Sequence, residues 1–262
     1  MNNIVLYCKS FVNDVDRLHL LIESIKKHNI DNIPTYVSVP SSDINIFKNK
    51  IDTSYVNLIE DESIYQSILP GYLSQQVIKS NFWRLNECKN YLCLDSDSLF
   101  IKDFKESDFI FTNDIPYTVC HQQKSLFEWS INNLNFNPKD GFIKDRQTVM
   151  DIFNRKGVHY DFGPSPVIWS KKVWKNLDTT YIEPNNITFD DLIKYCASEF
   201  CWYGESLLSM NFPIYPLEPL FKVYHYEGQY IQDKQQNITV NQLKENYFGI
   251  ILQSNWNAPK KY

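Results

Sequence analysis

Tyr91-Leu92-Cys93-Leu94-Asp95-Ser96-Asp97 decides the fold, because an apolar run passes directly into a turn that carries two aspartates. A short run of large apolar residues with a turn after it is typical of a buried β-strand. In open α/β sheets, ligands bind outside the carboxyl ends of such strands. The stretch therefore predicts a strand over 91–94, with Asp95 and Asp97 at the ligand-binding edge of a sheet.

Short apolar runs and helical patterns alternate on both sides of this strand. The predicted strands cover 4–8, 34–40, 55–59 and 166–170, and the predicted helices cover 15–27, 72–88, 171–177 and 190–210. This alternation predicts an α/β fold with a mixed, mostly parallel sheet flanked by helices. No internal repeat or low-complexity linker divides the chain, so we expect a single domain over residues 1–262.

The composition excludes several classes of protein. Hydrophobic residues make up 43% and aromatic residues 15% of the chain, enough to form a folded core. With 26 basic and 31 acidic residues and a net charge of −5, we expect no nucleic-acid partner. No apolar stretch reaches the roughly 20 residues that span a bilayer, so any membrane contact would be peripheral. The six cysteines form no C-x-x-C pair, which favours reduced thiols in the cytoplasm over a zinc site.

Asp95 and Asp97 are candidate ligands for a divalent cation. Carboxylate oxygens suit Mg²⁺ or Mn²⁺, which bridge diphosphate oxygens and neutralise charge on a leaving group. The Asp-x-Asp pattern alone also occurs in solvated surface turns, because aspartate is common there. The surrounding sequence must therefore distinguish the two interpretations.

That surrounding sequence resembles the GT-A class of glycosyltransferases. The helix predicted before the strand has the pattern Gly-x-x-x-Gln-Gln-x-x-Lys over 71–79, and the strand ends in Asp-x-Asp-Ser-x-Phe over 95–100. A group of bacterial and viral surface-glycan glycosyltransferases has similar motifs. The resemblance covers about half of the chain, returning at 198–204 and near His225.

The resemblance implies a GT-A-like fold that uses a nucleotide-sugar, such as a UDP-sugar, as donor. Residues 1–105 would form the nucleotide-binding half and 106–262 the acceptor and catalytic half. The implied donor-binding residues are Gln76, Lys79, Arg84 and Asp95, and the implied ligands of Mn²⁺ or Mg²⁺ are Asp95, Asp97 and His225. For Lys79 and Arg84 the alternative is an exposed helix face, and for His225 a packed, hydrogen-bonded ring.

Three carboxylates are candidates for the catalytic base. Glu199 matches the Ser-Glu-(Tyr/Phe)-x-x-Tyr-Gly pattern of the resembling group, and its bulky apolar neighbours favour a raised pKa. Glu205 lies on the same predicted helix and is the second candidate. Asp161 precedes a glycine in a turn-rich stretch and is the third, although aspartates in turns often bond to their own backbone. A solvated or ion-paired carboxylate remains the alternative for each.

The leading hypothesis is transfer of a sugar from a nucleotide-sugar to a hydroxyl of a glycan or glycolipid acceptor, such as a lipopolysaccharide or a capsule chain. Two alternatives remain open. Nucleotidyl or phosphoryl transfer also uses Asp-x-Asp with Mg²⁺, although it usually needs a further carboxylate cluster or an aspartate nucleophile. The other is a glycan-binding module that has the transferase fold without its activity.

Overall fold

Strands and helices alternate along the first hundred residues of the computed structural model, which describes residues 1–112, 114–256, 258–260 and 262. The strands are β1 (Asn2–Lys9), β2 (Thr35–Val39), β3 (Asn57–Glu60), β4 (Cys88–Leu94), β5 (Ser98–Phe100), β6 (Ile110–Thr112), β7 (Ile115–Pro116), β8 (Thr118–Val119), β9 (Val167–Ser170), β10 (Pro216–Leu217), β11 (Phe221–Tyr224) and β12 (Gly249–Leu252). The α-helices are α1 (Val15–His28), α2 (Ile44–Lys48), α3 (Asp61–Ile64), α4 (Gly71–Asn81), α5 (Lys124–Leu134), α6 (Lys139–Ile152), α7 (Lys171–Leu177), α8 (Phe189–Tyr195), α9 (Glu199–Ser209), α10 (Glu227–Gln235) and α11 (Val240–Asn246).

The central sheet has five strands in the order β3-β2-β1-β4-β9. Its first four strands are parallel to their neighbours, and β9 is antiparallel to β4. A smaller sheet has the order β11-β12-β5. The predicted α/β fold, a mixed sheet flanked by helices in one domain, is confirmed. Within the described residues, no helix combines the length and apolarity that a membrane crossing requires.

Both faces of the central sheet are covered, as strand β1 shows. Val5 and Tyr7 face a cluster that includes residues of α4, α7 and α9, whereas Leu6 and Cys8 face the cluster that contains α1. All four side chains are at most 1% exposed. Successive side chains of a strand point to opposite faces, so a strand with helices on both sides must be apolar throughout. This burial fixes β1 and its neighbour β4 at the centre of the fold.

One helix is shorter in the structure than predicted, and one strand begins later than predicted. The helix predicted over 72–88 ends at Asn81, and a 3₁₀ turn over Phe82–Leu85 follows it. Asn86 then adopts a left-handed conformation with φ of 60°, which ends the helical segment before β4 begins. The strand predicted over 55–59 begins at Asn57, because the preceding residues form turns.

The single helix predicted over 190–210 is wrong, because the structure contains two helices there. Helix α8 ends at Tyr195, and α9 begins at Glu199 after a short break. The Ser198 hydroxyl caps α9 by accepting a hydrogen bond from the Cys201 amide at 3.3 Å. Glu199 is therefore the first residue of its helix, where a carboxylate interacts favourably with the helix dipole.

Gly204 lets the loop that carries Asp161 pack closely on helix α9. A Cβ atom built on Gly204 would lie 1.9 Å from the ring atom Cδ2 of Phe162. Phe162 is 2% exposed, so its ring has little room to move away. This contact fixes the position of the loop relative to the helix that carries Glu199.

We expect Gly204→Ala to lower the free energy of unfolding by about 1–3 kcal/mol, because the added methyl group overpacks this contact. Gly141→Ala is the matched control. Gly141 lies in α6 with no atom within 4 Å of a built Cβ, so alanine there should stabilise the helix by up to about 1 kcal/mol. Urea denaturation measures both changes. Equal stability of the Gly204→Ala variant and the wild type would contradict the close packing.

Candidate functional site

A cleft of about 1210 Å³ lies along the carboxyl ends of the central strands. It brings together six residues that the sequence predicts for the site: Lys79, Asp95, Asp97, Asp161, Glu199 and His225. They come from both halves of the chain and from separate elements. The predicted residues Gln76, Arg84 and Glu205 do not line it. The cleft therefore contains six of the nine residues predicted for the site.

The buried ammonium group of Lys79 connects two acidic residues of the cleft. It donates a hydrogen bond to Asp95 Oδ1 and lies 3.9 Å from Glu199 Oε1. Burial works against the charged form of Lys79, but the nearby negative charges, Asp95 foremost, outweigh it and raise its pKa above the ordinary value. Lys79 therefore carries a permanent positive charge, and the alternative of an exposed helix face does not apply to it.

Asp97 presents an oxygen atom without a protein partner. Its Oδ2 accepts a hydrogen bond from the Ser254 amide at 3.1 Å, whereas its Oδ1 is buried and has no hydrogen-bond partner among the described residues. Burial, and secondarily the charge of Asp95, raise the pKa of Asp97 to about 7. A buried oxygen that lacks a partner is costly unless a ligand or ion satisfies it. The Oδ1 atom of Asp97 could therefore accept a cation or a donor group.

Glu199 lies at the bottom of the cleft and is 3% exposed. Burial raises the pKa of its carboxyl from 4.5 to about 7, and the opposing charge of Lys79 limits the increase. Within the described residues, no other residue donates a hydrogen bond to this carboxylate, whereas its backbone amide donates to Gln76 Oε1 at 3.3 Å. A carboxyl with a pKa near neutrality that faces a cleft is suited to accept and release protons.

The three predicted residues outside the cleft have structural contacts of their own. Gln76 is 1% exposed and holds the first residue of α9 by accepting its amide hydrogen. Arg84 forms an ion pair with Asp178 at 2.7 Å. Glu205 is fully buried and accepts hydrogen bonds from two nitrogen atoms of Arg155. These contacts explain the positions of the three residues without a ligand.

Asp161 lines the cleft but its carboxylate is already occupied. Arg146 and Gln123 donate hydrogen bonds to it at 2.6 and 2.5 Å, and the Gly163 amide donates at 3.3 Å. Burial works against ionisation, yet Arg146, with Gln123 and His121, holds the pKa of Asp161 below its ordinary value. A carboxylate that stays ionised and saturated with donors is a poor proton acceptor. Of the three predicted base candidates, Glu199 therefore has the most suitable surroundings.

His225 lines the same cleft, in the neighbourhood of Asp161. Burial lowers the pKa of its imidazole to about 4, and the charges that act on it belong to Asp161 and His121. The ring is therefore neutral at physiological pH and makes no hydrogen bond within the described residues. Its role as a metal ligand stays a prediction.

Several residues of the cleft were missed by the sequence analysis. Lys9, at the end of β1, forms a buried ion pair with Asp61 at 2.9 Å. Asp14 accepts a hydrogen bond from the Ser96 hydroxyl at 3.1 Å, next to the two aspartates of the turn. The position of Lys9 at the carboxyl end of a predicted strand was a usable signal. Asp14 and Arg146 carried none, because only the folded chain brings them to the cleft.

The cleft contains more acidic than basic side chains. Its acidic side chains are Asp14, Asp43, Asp61, Glu62, Asp95, Asp97, Asp161 and Glu199, and its basic ones are Lys9, Lys79 and Arg146. Eight carboxyl groups thus face three cations, an excess of five. An anionic ligand such as a diphosphate would be repelled unless divalent cations accompany it.

The residues present fit a Mg²⁺ or Mn²⁺ ion that is shared with a substrate. No group of three or more His, Cys, Asp or Glu side chains in the described parts of the chain is arranged to hold a metal ion. Mg²⁺ is usually bound through one or two carboxylates together with substrate phosphates and water. Asp95 and Asp97, with the free Oδ1 of Asp97, would supply the protein side of such a site.

The buried carboxyl of Glu199 should make stability depend on pH. Because folding raises its pKa from 4.5 to about 7, its protonated form stabilises the folded state fully below pH 4.5. As the pH rises to about 7 this contribution is lost, and the free energy of unfolding falls by roughly 3 kcal/mol. We expect Glu199→Gln to lessen the fall in the free energy of unfolding over this range, measured by urea denaturation without divalent cations. Glu23→Gln, at an exposed site, is the control, and an unchanged fall in Glu199→Gln would contradict the assignment.

The comparisons with known proteins place the chain in one family. A family model described as "Family of unknown function (DUF6492)" matches residues 3–238, which include every cleft residue that precedes Ile251. A search of curated proteins gives no match. The match extends over most of the 262 residues and takes in the sheet, the Asp95–Asp97 turn and helix α9. The chain therefore belongs to the DUF6492 family, a family of unknown function.

Proposed function

We propose that this protein is a metal-dependent glycosyltransferase with a GT-A-like fold. It transfers a sugar from a nucleoside-diphosphate sugar to a hydroxyl of a glycan or glycolipid acceptor. One observation carries the proposal: Lys79, Asp95, Asp97 and Glu199 meet in one cleft at the carboxyl ends of parallel strands.

The donor diphosphate binds beside the Asp95–Asp97 turn. Asp95 and Asp97 would hold a divalent cation, which would stabilise the charge of the leaving diphosphate as a Lewis acid. Lys79 adds a permanent positive charge at the same place, since its ammonium group bonds to Asp95. The nucleoside lies toward the ends of β1, β2 and β3, where Lys9 and Asp61 line the cleft.

Glu199 acts as the general base in an inverting transfer. The acceptor hydroxyl gives its proton to the Glu199 carboxylate while its oxygen bonds to the anomeric carbon. The bond between that carbon and the diphosphate oxygen breaks, and the nucleoside diphosphate leaves with the bonding electrons. A pKa of about 7 lets Glu199 be ionised in a useful fraction of molecules near neutral pH and still bind a proton effectively.

The cation requirement leads to a binding prediction. A nucleoside diphosphate should raise the melting temperature only when Mn²⁺ or Mg²⁺ is present, because the acidic cleft repels the metal-free anion. At about 100 times Kd the stabilisation is about 2.7 kcal/mol, or roughly 5–10 °C for a domain of this size. Thermal shift assays with UDP, GDP and their sugar conjugates, with and without the cation, measure this.

Asp97→Ala should abolish the cation-dependent shift, whereas the control Asp16→Ala, at an exposed position outside the cleft, should keep it. An equal shift with the metal-free diphosphate would overturn the bridging-cation proposal. Release of phosphate or of a nucleoside monophosphate from a nucleoside triphosphate would favour the phosphoryl-transfer alternative instead.

The base assignment leads to a kinetic prediction. Glu199→Gln should leave the cation-dependent shift intact and lower the rate of nucleoside-diphosphate release from the nucleotide-sugar by about 100-fold or more, since the amide cannot accept the proton. Glu23→Gln, on the exposed side of α1, is the matched control and should turn over like the wild type. Wild-type turnover in Glu199→Gln would contradict the assignment of Glu199 as the base.

A further inference from the structure

The end of the cleft next to β9 has a polar lining that the proposed chemistry does not use. Gln123, Arg146, Asp161, Phe200 and His225 line it, and they come from five separate segments of the chain. The central sheet runs in the order β3-β2-β1-β4-β9, so this end lies on the opposite side of the Asp95–Asp97 turn from Lys9 and Asp61. A group bound here would be either the sugar attached to the donor diphosphate or part of an acceptor that enters from solvent.

Arg146 is held rigidly and still has donors to spare. Its guanidinium group donates through Nε to the Tyr160 carbonyl and through Nη2 to Asp161, and it stacks 3.8 Å from the ring centroid of Phe142. Its side chain is 12% exposed. Within the described residues, Nη1 has no hydrogen-bond acceptor. A fixed guanidinium with an unused edge beside a cleft is suited to bind oxygen atoms of a ligand.

Gln123 and His225 add the complementary groups. Gln123 uses its amide nitrogen on Asp161, so its carbonyl oxygen remains as an acceptor. The imidazole ring of His225 lines the cleft and makes no hydrogen bond within the described residues, so its two ring nitrogens are available to a ligand. The three side chains together present both donors and acceptors over a small area. Hydroxyl groups, each of which donates and accepts, match such a surface.

Phe200 supplies an apolar wall at the same place. Its ring follows Glu199 on α9 and is held by Trp169, with ring centroids 5.7 Å apart. It also lies against Gly163, which brings the loop of Asp161 close to it. One apolar wall next to several polar groups matches a sugar ring, which has an apolar C–H face and hydroxyl groups at its edge.

The charge of the cleft decides which sugars fit. The positive charge of Arg146 is balanced by Asp161 at 2.6 Å, and His225 is neutral. The cleft as a whole has eight carboxyl groups against three cations. Because Asp161 already balances Arg146, a carboxylate or phosphate on the sugar would find no unpaired cation here and would face the acidic side chains of the rest of the cleft, whereas an uncharged sugar would not be repelled.

We propose that Gln123, Arg146, Asp161, Phe200 and His225 form a subsite for an uncharged sugar ring. The inference deepens the proposed function, and it rests on that function only in assigning the ring to the donor or to the acceptor. Assigning His225 to this subsite leaves Asp95 and Asp97 as the proposed ligands of the cation. Asp161 is a positioning residue, since it fixes Arg146 and Gln123.

Saturation-transfer NMR with free sugars tests the subsite without nucleotide or metal. We expect a signal from at least one of methyl glucoside, methyl galactoside and methyl mannoside, and none from glucuronate. His225→Ala and Phe200→Ala should weaken binding of that sugar by about tenfold, the loss of one hydrogen bond or one ring contact. His19→Ala, at an exposed histidine outside the cleft, is the matched control. Arg146→Lys keeps the charge next to Asp161 and removes the fork, so it should fold and bind sugar more weakly.

Binding of glucuronate as strong as that of the neutral sugars would overturn the charge argument, and unchanged binding in both His225→Ala and Phe200→Ala would overturn the subsite. So would the absence of binding by all three glycosides. Loss of the Mn²⁺-dependent UDP shift in His225→Ala would instead make His225 a metal ligand and remove it from the subsite. These results are independent of the proposed function, which fails separately if no nucleoside diphosphate binds with Mn²⁺.

Two further measurements identify the source of the sugar, and either result supports the subsite. If the ring is the transferred sugar, Phe200→Ala weakens binding of the nucleotide-sugar but not of the nucleoside diphosphate. If it belongs to the acceptor, Phe200→Ala leaves the affinities for the nucleotide-sugar and for the nucleoside diphosphate unchanged. The KM for the acceptor then rises by about tenfold.

Discussion

The buried ammonium group of Lys79 is the interaction on which the site depends. It lies between Asp95, at the end of β4, and Glu199, at the start of α9, so one charge connects helix α4 to both elements. Without it, the buried carboxyl group of Glu199 and the partly exposed one of Asp95 would repel each other. The loss of one partner of a buried ion pair usually costs about 3–5 kcal/mol, since a charge remains uncompensated. The geometry of the candidate site and the packing of three elements are therefore coupled.

The sequence predicted the part of the fold that depends on local patterns. The buried strands β1 and β4 are apolar on both faces, so their positions could be read from short runs that end at Lys9 and Asp95. The parallel sheet then places the ends of these strands at one edge. Asp95 and Asp97 reach the cleft for this reason. Lys79 and Glu199 were found only through the resemblance, since no local pattern shows which way their side chains point.

The remaining part of the site depends on contacts between distant segments. Glu205 and Glu199 both lie on α9, but Arg155 takes one of them into a buried ion pair and leaves the other facing the cleft. The same is true of Asp161, whose donors come from residues 123, 146 and 163. Nothing near these carboxylates in the sequence distinguishes them. The break before α9 was missed because the apolar spacing continues through it, although the serine cap was visible.

The contact between Lys79 and Glu199 joins residues from opposite halves of the chain, and this has a consequence for recombination between related proteins. A chimaera made near residue 105 would combine one parent's Asp95–Asp97 turn with the other's α9. It would inherit a working centre only if both parents use the same lysine and glutamate pair. The proposed sugar subsite next to β9 tolerates more substitution, because Gln123 and Phe200 contribute side chains at its surface. Under the proposed function, libraries that aim at a new sugar specificity should therefore begin at these two positions.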